Sequence, residues 1–207
     1  IMVTDRGLKK DPELAEKIDK AVFPGLQGGP HDNQTAAIAV ALNEASTLAF
    51  KKYAAQIVKN AQALAKKLTA RGYRLIGDGT ANHMVWVDLT NQGIDGWTAA
   101  WALEAAGMIA NRQTVPGDTR SPYYPSGLRL GTPAVTTRGM KEQEMTQIAT
   151  WIDQVIRHIT IDPDIGGSDK VKDQAARKRF KTEVFKDKFL RSIAGEVKRL
   201  CAKFPTP

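Results

Sequence analysis

The chain has 207 residues, 42% of them hydrophobic, enough to bury a substantial core and too apolar for a disordered tail. Its net charge of +8 is uneven: from Ser168 to Pro207 twelve Lys and Arg face five Asp and Glu, whereas the remainder holds 18 against 17. The single cysteine, Cys201, excludes an internal disulfide, and no stretch reads as a membrane span or a signal peptide.

Ile1 to Thr4 reads as the end of a buried strand, and Asp11-Pro12 opens a short helix with Leu14, Ile18 and Val22 on one side. This helix stops before Pro24-Gly25, where a Gly- and Pro-rich loop runs to Pro30. A helical region rich in small residues begins near Asp32, and a second long helix carries Ile57, Ala61, Leu64 and Leu68, with Gly72 placed to cap its end. Strands are expected at 73–76 and 83–89, then a helix over 96–106 ended by Gly107. Met108 to Ala110 is expected to begin another short strand, and 111–125 to form a polar, proline-rich connection. A strand around Arg129 follows, then a helix over 140–159 with Met145, Ile148, Ile152, Val155 and Ile159 as its buried stripe. Asp162 to Ser168 reads as a linker. In the tail Phe185, Phe189, Ile193, Val197, Leu200 and Phe204 recur at spacings of four and three. The alternation argues an α/β fold. The domains expected are 1–45, 46–160 and a linker with a basic amphipathic terminal helix over 161–207.

Ser126-Gly-Leu-Arg-Leu-Gly-Thr-Pro-Ala-Val-Thr-Thr137, followed by Arg138-Gly139, places one arginine in an apolar run punctuated by glycines. With apolar neighbours Arg129 can offer its planar fork to a carboxylate where water is scarce. An arginine at a strand edge with its head in solvent is the alternative. About a hundred residues upstream lies Val22-Phe-Pro-Gly-Leu-Gln-Gly-Gly-Pro30. These two segments, with Ala81-Asn-His-Met-Val-Trp-Val-Asp-Leu89 and the ending Leu200-Cys-Ala-Lys-Phe-Pro205, resemble serine hydroxymethyltransferase in family order.

The resemblance implies a fold-type I transferase using pyridoxal 5′-phosphate, with tetrahydrofolate as co-substrate and serine and glycine as substrate and product. It also implies a cytoplasmic homodimer or dimer of dimers. This chain would supply the end of the large domain and the small C-terminal α/β domain. Arg129 would bind the substrate carboxylate, Gly29 would reach the cofactor phosphate of the neighbouring subunit, and Gly28 would enable the turn. Phe23 would line the folate site from the partner chain, or else staple the end of the preceding helix. Gln113 stands where the family has an asparagine that meets the pteridine; it keeps the amide but adds one methylene, and Asn111 is the nearest alternative amide. No lysine present matches the motif of the family's Schiff-base lysine, so no catalytic residue is assigned and the chain is expected to be the C-terminal half of a longer enzyme, inactive alone.

Ser126 and Thr132 read as strand and loop support, and Cys201 as a small apolar residue under a terminal helix rather than a nucleophile. His83 reads as a structural histidine, His31 as a residue able to help close an interface, and His158 as a cation near a helix end. No metal site is expected. The basic tail reads as a helix docked on its own domain rather than a nucleic-acid or membrane surface, since no aromatic stacking pattern interrupts its basic residues. The alternatives are another fold-type I enzyme, an aldolase of 3-hydroxy amino acids or a transaminase, and a noncatalytic module for oligomerisation or RNA binding.

Overall fold

A computed structural model describes residues 3–206, and the chain divides into two compact units, Ile1–Thr47 and Leu48–Pro207. In the first, helix α1 (Asp5–Lys10) is capped by the Thr4 hydroxyl, which accepts from the Gly7 N–H. The expected opening strand therefore does not reach Thr4, and Ile1 and Met2 lie outside the described residues. Helix α2 (Leu14–Lys20) passes into a wide turn over Ala21–Leu26, in which Phe23 is extended and its bond to Pro24 is cis. Helix α3 (Asp32–Ala45) completes this unit.

The second unit is built on a four-stranded antiparallel sheet in the order β1 (Arg74–Leu75), β2 (Met84–Asp88), β4 (Gly127–Gly131), β3 (Asn111–Gln113). Met108 to Ala110, expected to begin a strand, is irregular; pairing starts only at Asn111, which lies opposite Arg129. Val85, Val87 and Leu128 are buried on one face of the sheet. They meet Ala61, Leu64, Ala65 and Leu68 of α4 (Leu48–Thr69), Ala99, Ala102 and Leu103 of α5 (Gly96–Ala105), and Met145, Ile152 and Val155 of α7 (Glu142–His158). Full burial of each large aliphatic side chain contributes about 1.5–3 kcal/mol, so the 3.6-residue periodicity of these helices sets which face docks. Of the stripe expected on α7, Ile148 and Ile159 are only partly buried, and Ala149, Trp151 and Ile156 complete it.

Glycines end α4 and α5 in the left-handed conformation that side chains disfavour: Gly72 has φ +88° and Gly107 φ +80°. Short helix α6 (Pro133–Thr137) is fastened to α4 by fully buried Asn60, whose amide donates to Thr136 Oγ1 at 2.8 Å and to the Met140 carbonyl at 2.9 Å.

The basic tail forms two helices, α8 (Lys170–Glu183) and α9 (Lys188–Lys203), because Asp187 accepts from the Leu190 N–H and starts a new helix after a tight turn. Leu190, Ile193 and Val197 of α9 are buried in the core, whereas Phe185 and Phe189 stay near the surface, on Trp101 and His158. Arg177 of α8 is buried. Its guanidinium lies 2.8 Å from Asp95, the N-cap of α5, 2.9 Å from Asp173, and 3.7 Å from the centre of the Tyr124 ring.

Removing one partner of a buried ion pair strands the other charge, at a cost of about 3–5 kcal/mol. Arg177→Ala is therefore expected to lower the unfolding free energy by that amount, measured from urea unfolding at neutral pH. A loss below about 1 kcal/mol, the value of an exposed pair, would show that Asp95 does not depend on it.

Candidate active site

Strand β4 alternates: Leu128 points into the core, and Arg129, flanked by Gly127 and Gly131, belongs to the opposite face. On that face its direct cross-strand partners are Trp86 of β2 and Asn111 of β3. Arg129 is exposed and, among the described residues, its guanidinium makes no hydrogen bond or ion pair. Its sequence neighbours Leu128 and Leu130 turn to the other face, so on its own face half-buried Trp86 is the apolar residue directly beside it. Gln113 pairs with Gly127, two positions along β3 from Asn111, so both amides share the face of Arg129.

The connection into β4 is organised by Asp118. Its carboxylate accepts from the N–H groups of Val115 (3.2 Å), Arg120 (3.0 Å) and Ser126 (2.8 Å) and from the Ser126 hydroxyl (2.8 Å). Burial opposes ionisation, but these four donors outweigh it and hold the Asp118 carboxyl below its ordinary value. At the far end of the face Asp88 is fully buried. Burial again opposes its charge; the Thr90 hydroxyl and N–H and the Arg74 guanidinium overcome it and lower its pKa.

Ser126 and Thr132 serve as supports. Ser126 is held by Asp118, and the Thr132 hydroxyl donates to the Ile57 carbonyl at 2.8 Å, joining β4 to α4. Arg138, for which the sequence pattern suggests no role, donates from Nε to the Phe204 carbonyl at 2.6 Å and from its second arm to the Cys201 carbonyl at 2.9 Å. It thereby caps the end of α9. Cys201 is half-buried against the core. The His83 side chain is exposed, and it is the His83 carbonyl that bonds, accepting from the Thr132 N–H at 3.1 Å. His31 bonds Gln34 within α3, and His158 bonds Asp187 at 3.0 Å. Among the described residues no three His, Cys, Asp or Glu side chains gather as metal ligands, and no helix is long and apolar enough to cross a membrane.

Phe23, Gly28 and Gly29 belong to the first unit, where all three are exposed. Neither glycine has positive φ, and a Cβ built on either meets nothing within 4 Å, so the turn itself does not need Gly28. Their N–H groups donate to no other described residue.

A family model described as serine hydroxymethyltransferase matches residues 2–152, which include both glycine-punctuated segments, the β2 strand and the whole face around Arg129. The chain belongs to the serine hydroxymethyltransferase family. It is 49% identical over 195 residues to a serine hydroxymethyltransferase of Sorangium cellulosum, an alignment covering 94% of this chain and 40% of the relative. A serine hydroxymethyltransferase of Acidothermus cellulolyticus is 48% identical over 200 residues, 97% of this chain and 42% of the relative. One of Methanospirillum hungatei is 56% identical over 147 residues, 71% and 36% of the two chains. The chain thus spans about 40% of the length of the curated relatives it matches. Membership in this family of fold-type I enzymes agrees with the mixed α/β architecture.

Because the folded Asp118 titrates below its ordinary value, its stabilisation is complete at pH above the ordinary carboxylate range and is lost as pH falls through the lowered folded value. Asp118→Asn is expected to lower the melting temperature at neutral pH and to flatten its fall in acid. Thermal unfolding followed from neutral pH to about pH 3 checks this, and an unchanged acid limb would remove Asp118 as its source.

Proposed function

We propose that the protein acts as a pyridoxal-phosphate-dependent serine hydroxymethyltransferase. It would move the hydroxymethyl carbon of serine to tetrahydrofolate, with release of water, and leave glycine and 5,10-methylenetetrahydrofolate. The observation that carries this reading is Arg129 itself: a guanidinium without a partner on the open face of a rigid sheet, within a chain of this family. A planar fork with both arms free suits bidentate capture of an amino-acid carboxylate.

Bound pyridoxal phosphate would supply an electron sink for the bond broken at the substrate α-carbon. Arg129 holds the carboxylate, fixing rotation about that carbon so that the bond to be cleaved is aligned. Gly28 and Gly29 fit the cofactor phosphate: their N–H groups are unused within the chain, and with no side chain they admit an anion close to the backbone. Gln113 would offer its amide to the folate ring from the same face as Arg129. Phe23 of the first unit, 64% exposed, would offer an aromatic surface to the folate site of a partner chain. None of the chain's own lysines is assigned the covalent link to the cofactor. We further propose a homodimer, because the first unit leaves Leu26 at 86%, Leu42 at 66% and Ile38 at 60% exposure, an apolar surface that association would bury. A cytoplasmic location is proposed from family membership alone.

In the full-length enzyme, Arg129→Ala is expected to weaken serine and glycine binding by about 10²- to 10³-fold, the loss of a two-pronged charged contact. Calorimetric affinities together with kcat and KM test it, and values within a few-fold of wild type would overturn the assignment. Gly29→Ala is expected to leave the melting temperature of the cofactor-free enzyme unchanged, since its Cβ meets open space, while weakening cofactor binding about tenfold. Equal cofactor affinity would take Gly29 out of the phosphate site.

A further inference from the structure

Within the sheet, Arg129 has two direct cross-strand partners, with Met84, Asp88 and Gln113 lying diagonally on the same face. The residues two positions before and after it on β4 are Gly127 and Gly131, which carry no side chain, so the flanks are Trp86 on one side and Asn111 on the other. Direct cross-strand partners have their Cβ atoms about 4.5–5.5 Å apart, close enough for each flank to limit the rotamers of a long side chain between them. No ion pair or hydrogen bond within the described chain otherwise fixes the guanidinium.

We infer that Trp86 and Asn111 are positioning residues for Arg129, holding its fork in the orientation that meets a substrate carboxylate. This rests on the reading of Arg129 as the carboxylate-binding residue. The two flanks act differently. Trp86 is half-buried, and its indole N–H is buried without a hydrogen-bond acceptor among the described residues. A donor left unsatisfied is a cost, so the indole serves here through its ring, a flat wall for the arginine's methylene stem. The exposed amide of Asn111 has no partner in the described chain. Arginine carries five N–H donors and a bidentate carboxylate takes two, so donors remain that the Asn111 carbonyl oxygen, unbonded in the free chain, can accept once substrate orients the fork. A stem confined on one flank reduces the freedom lost when substrate binds, and the tether on the other steadies the bound fork.

The test uses the full-length enzyme, with serine as variable substrate, glycine affinity by calorimetry, and Arg129→Ala as reference. Trp86→Leu and Asn111→Ala are each expected to raise KM for serine about five- to tenfold while kcat stays within about twofold, the signature of lost ground-state binding shared with the transition state. Trp86→Phe, which keeps a flat ring and removes the unsatisfied N–H, is expected to restore wild-type KM. Combined with Arg129→Ala, neither substitution is expected to weaken glycine binding further, since each acts through the arginine. If Arg129→Ala weakens glycine binding as expected but Trp86→Leu and Asn111→Ala leave KM within twofold, or add fully to the arginine's effect, the positioning role is overturned and the carboxylate reading stands. If Arg129→Ala itself leaves binding intact, both fall.

Discussion

The second unit closes on one point of backbone, Gly127. A Cβ there would lie 2.7 Å from a Val115 methyl and 2.8 Å from the carbonyl oxygens of Gln113 and Val87, and a Cβ on Gly96 would strike the Gly127 carbonyl. Strands β2 and β3, the loop after β3 and the start of α5 therefore all approach as closely as main chain permits. Slipping β4 by one residue would force Leu128 or Ser126, depending on direction, into that space and turn Arg129 toward the core. Close packing fixes the register, and the register fixes Arg129 opposite Trp86 and Asn111.

The charge of the tail is answered by the rest of the unit in specific places. Asp95 caps α5 through the Thr98 N–H and also receives Arg177 from α8, so one carboxylate both starts a core helix and holds a terminal one. Arg138, beyond the site strand at the end of α6, holds the carbonyls that end α9, and Trp151 of α7 donates to Glu196 of the same helix at 2.8 Å. Together with buried Leu190, Ile193 and Val197, these contacts make the tail a layer of the domain. Its positive excess then sits on the outward faces of α8 and α9, which is the ordinary place for charge on a docked helix.

Periodicity made the long elements legible. The 3.6-residue spacing of Ala61, Leu64 and Leu68 and of Met145, Ile152 and Val155, and the glycines after α4 and α5, are local signals with local causes. The alternation Met84, Trp86, Asp88 against Val85, Val87 marked two faces of β2, but which side chains would flank Arg129 depends on pairing between segments some forty residues apart. The start of β3 is hidden for the same reason: Asn111 to Gln113 is too polar and too short to read as a strand, and is one because β4 pairs with it. Asp118, Arg177 and Arg138 likewise read only as polar residues in polar stretches, since each has a decisive partner far along the chain: Ser126 eight residues from Asp118, Asp95 eighty-two from Arg177 and Phe204 sixty-six from Arg138.

The exposure of Arg129 is itself informative. A solvated guanidinium gains roughly 0–1 kcal/mol from an opposite charge, far too little to hold a small zwitterion in a defined orientation. The same contact strengthens severalfold when water is removed around it. On the proposed reading, the sheet supplies alignment, through glycines that clear the face and two flanks that confine one side chain, and leaves exclusion of water to whatever covers that face. Binding strength then depends on the covering step, while orientation is already set by backbone register. On the same reading, the guanidinium is unpaired in the second unit because the partner proposed for it is the substrate carboxylate.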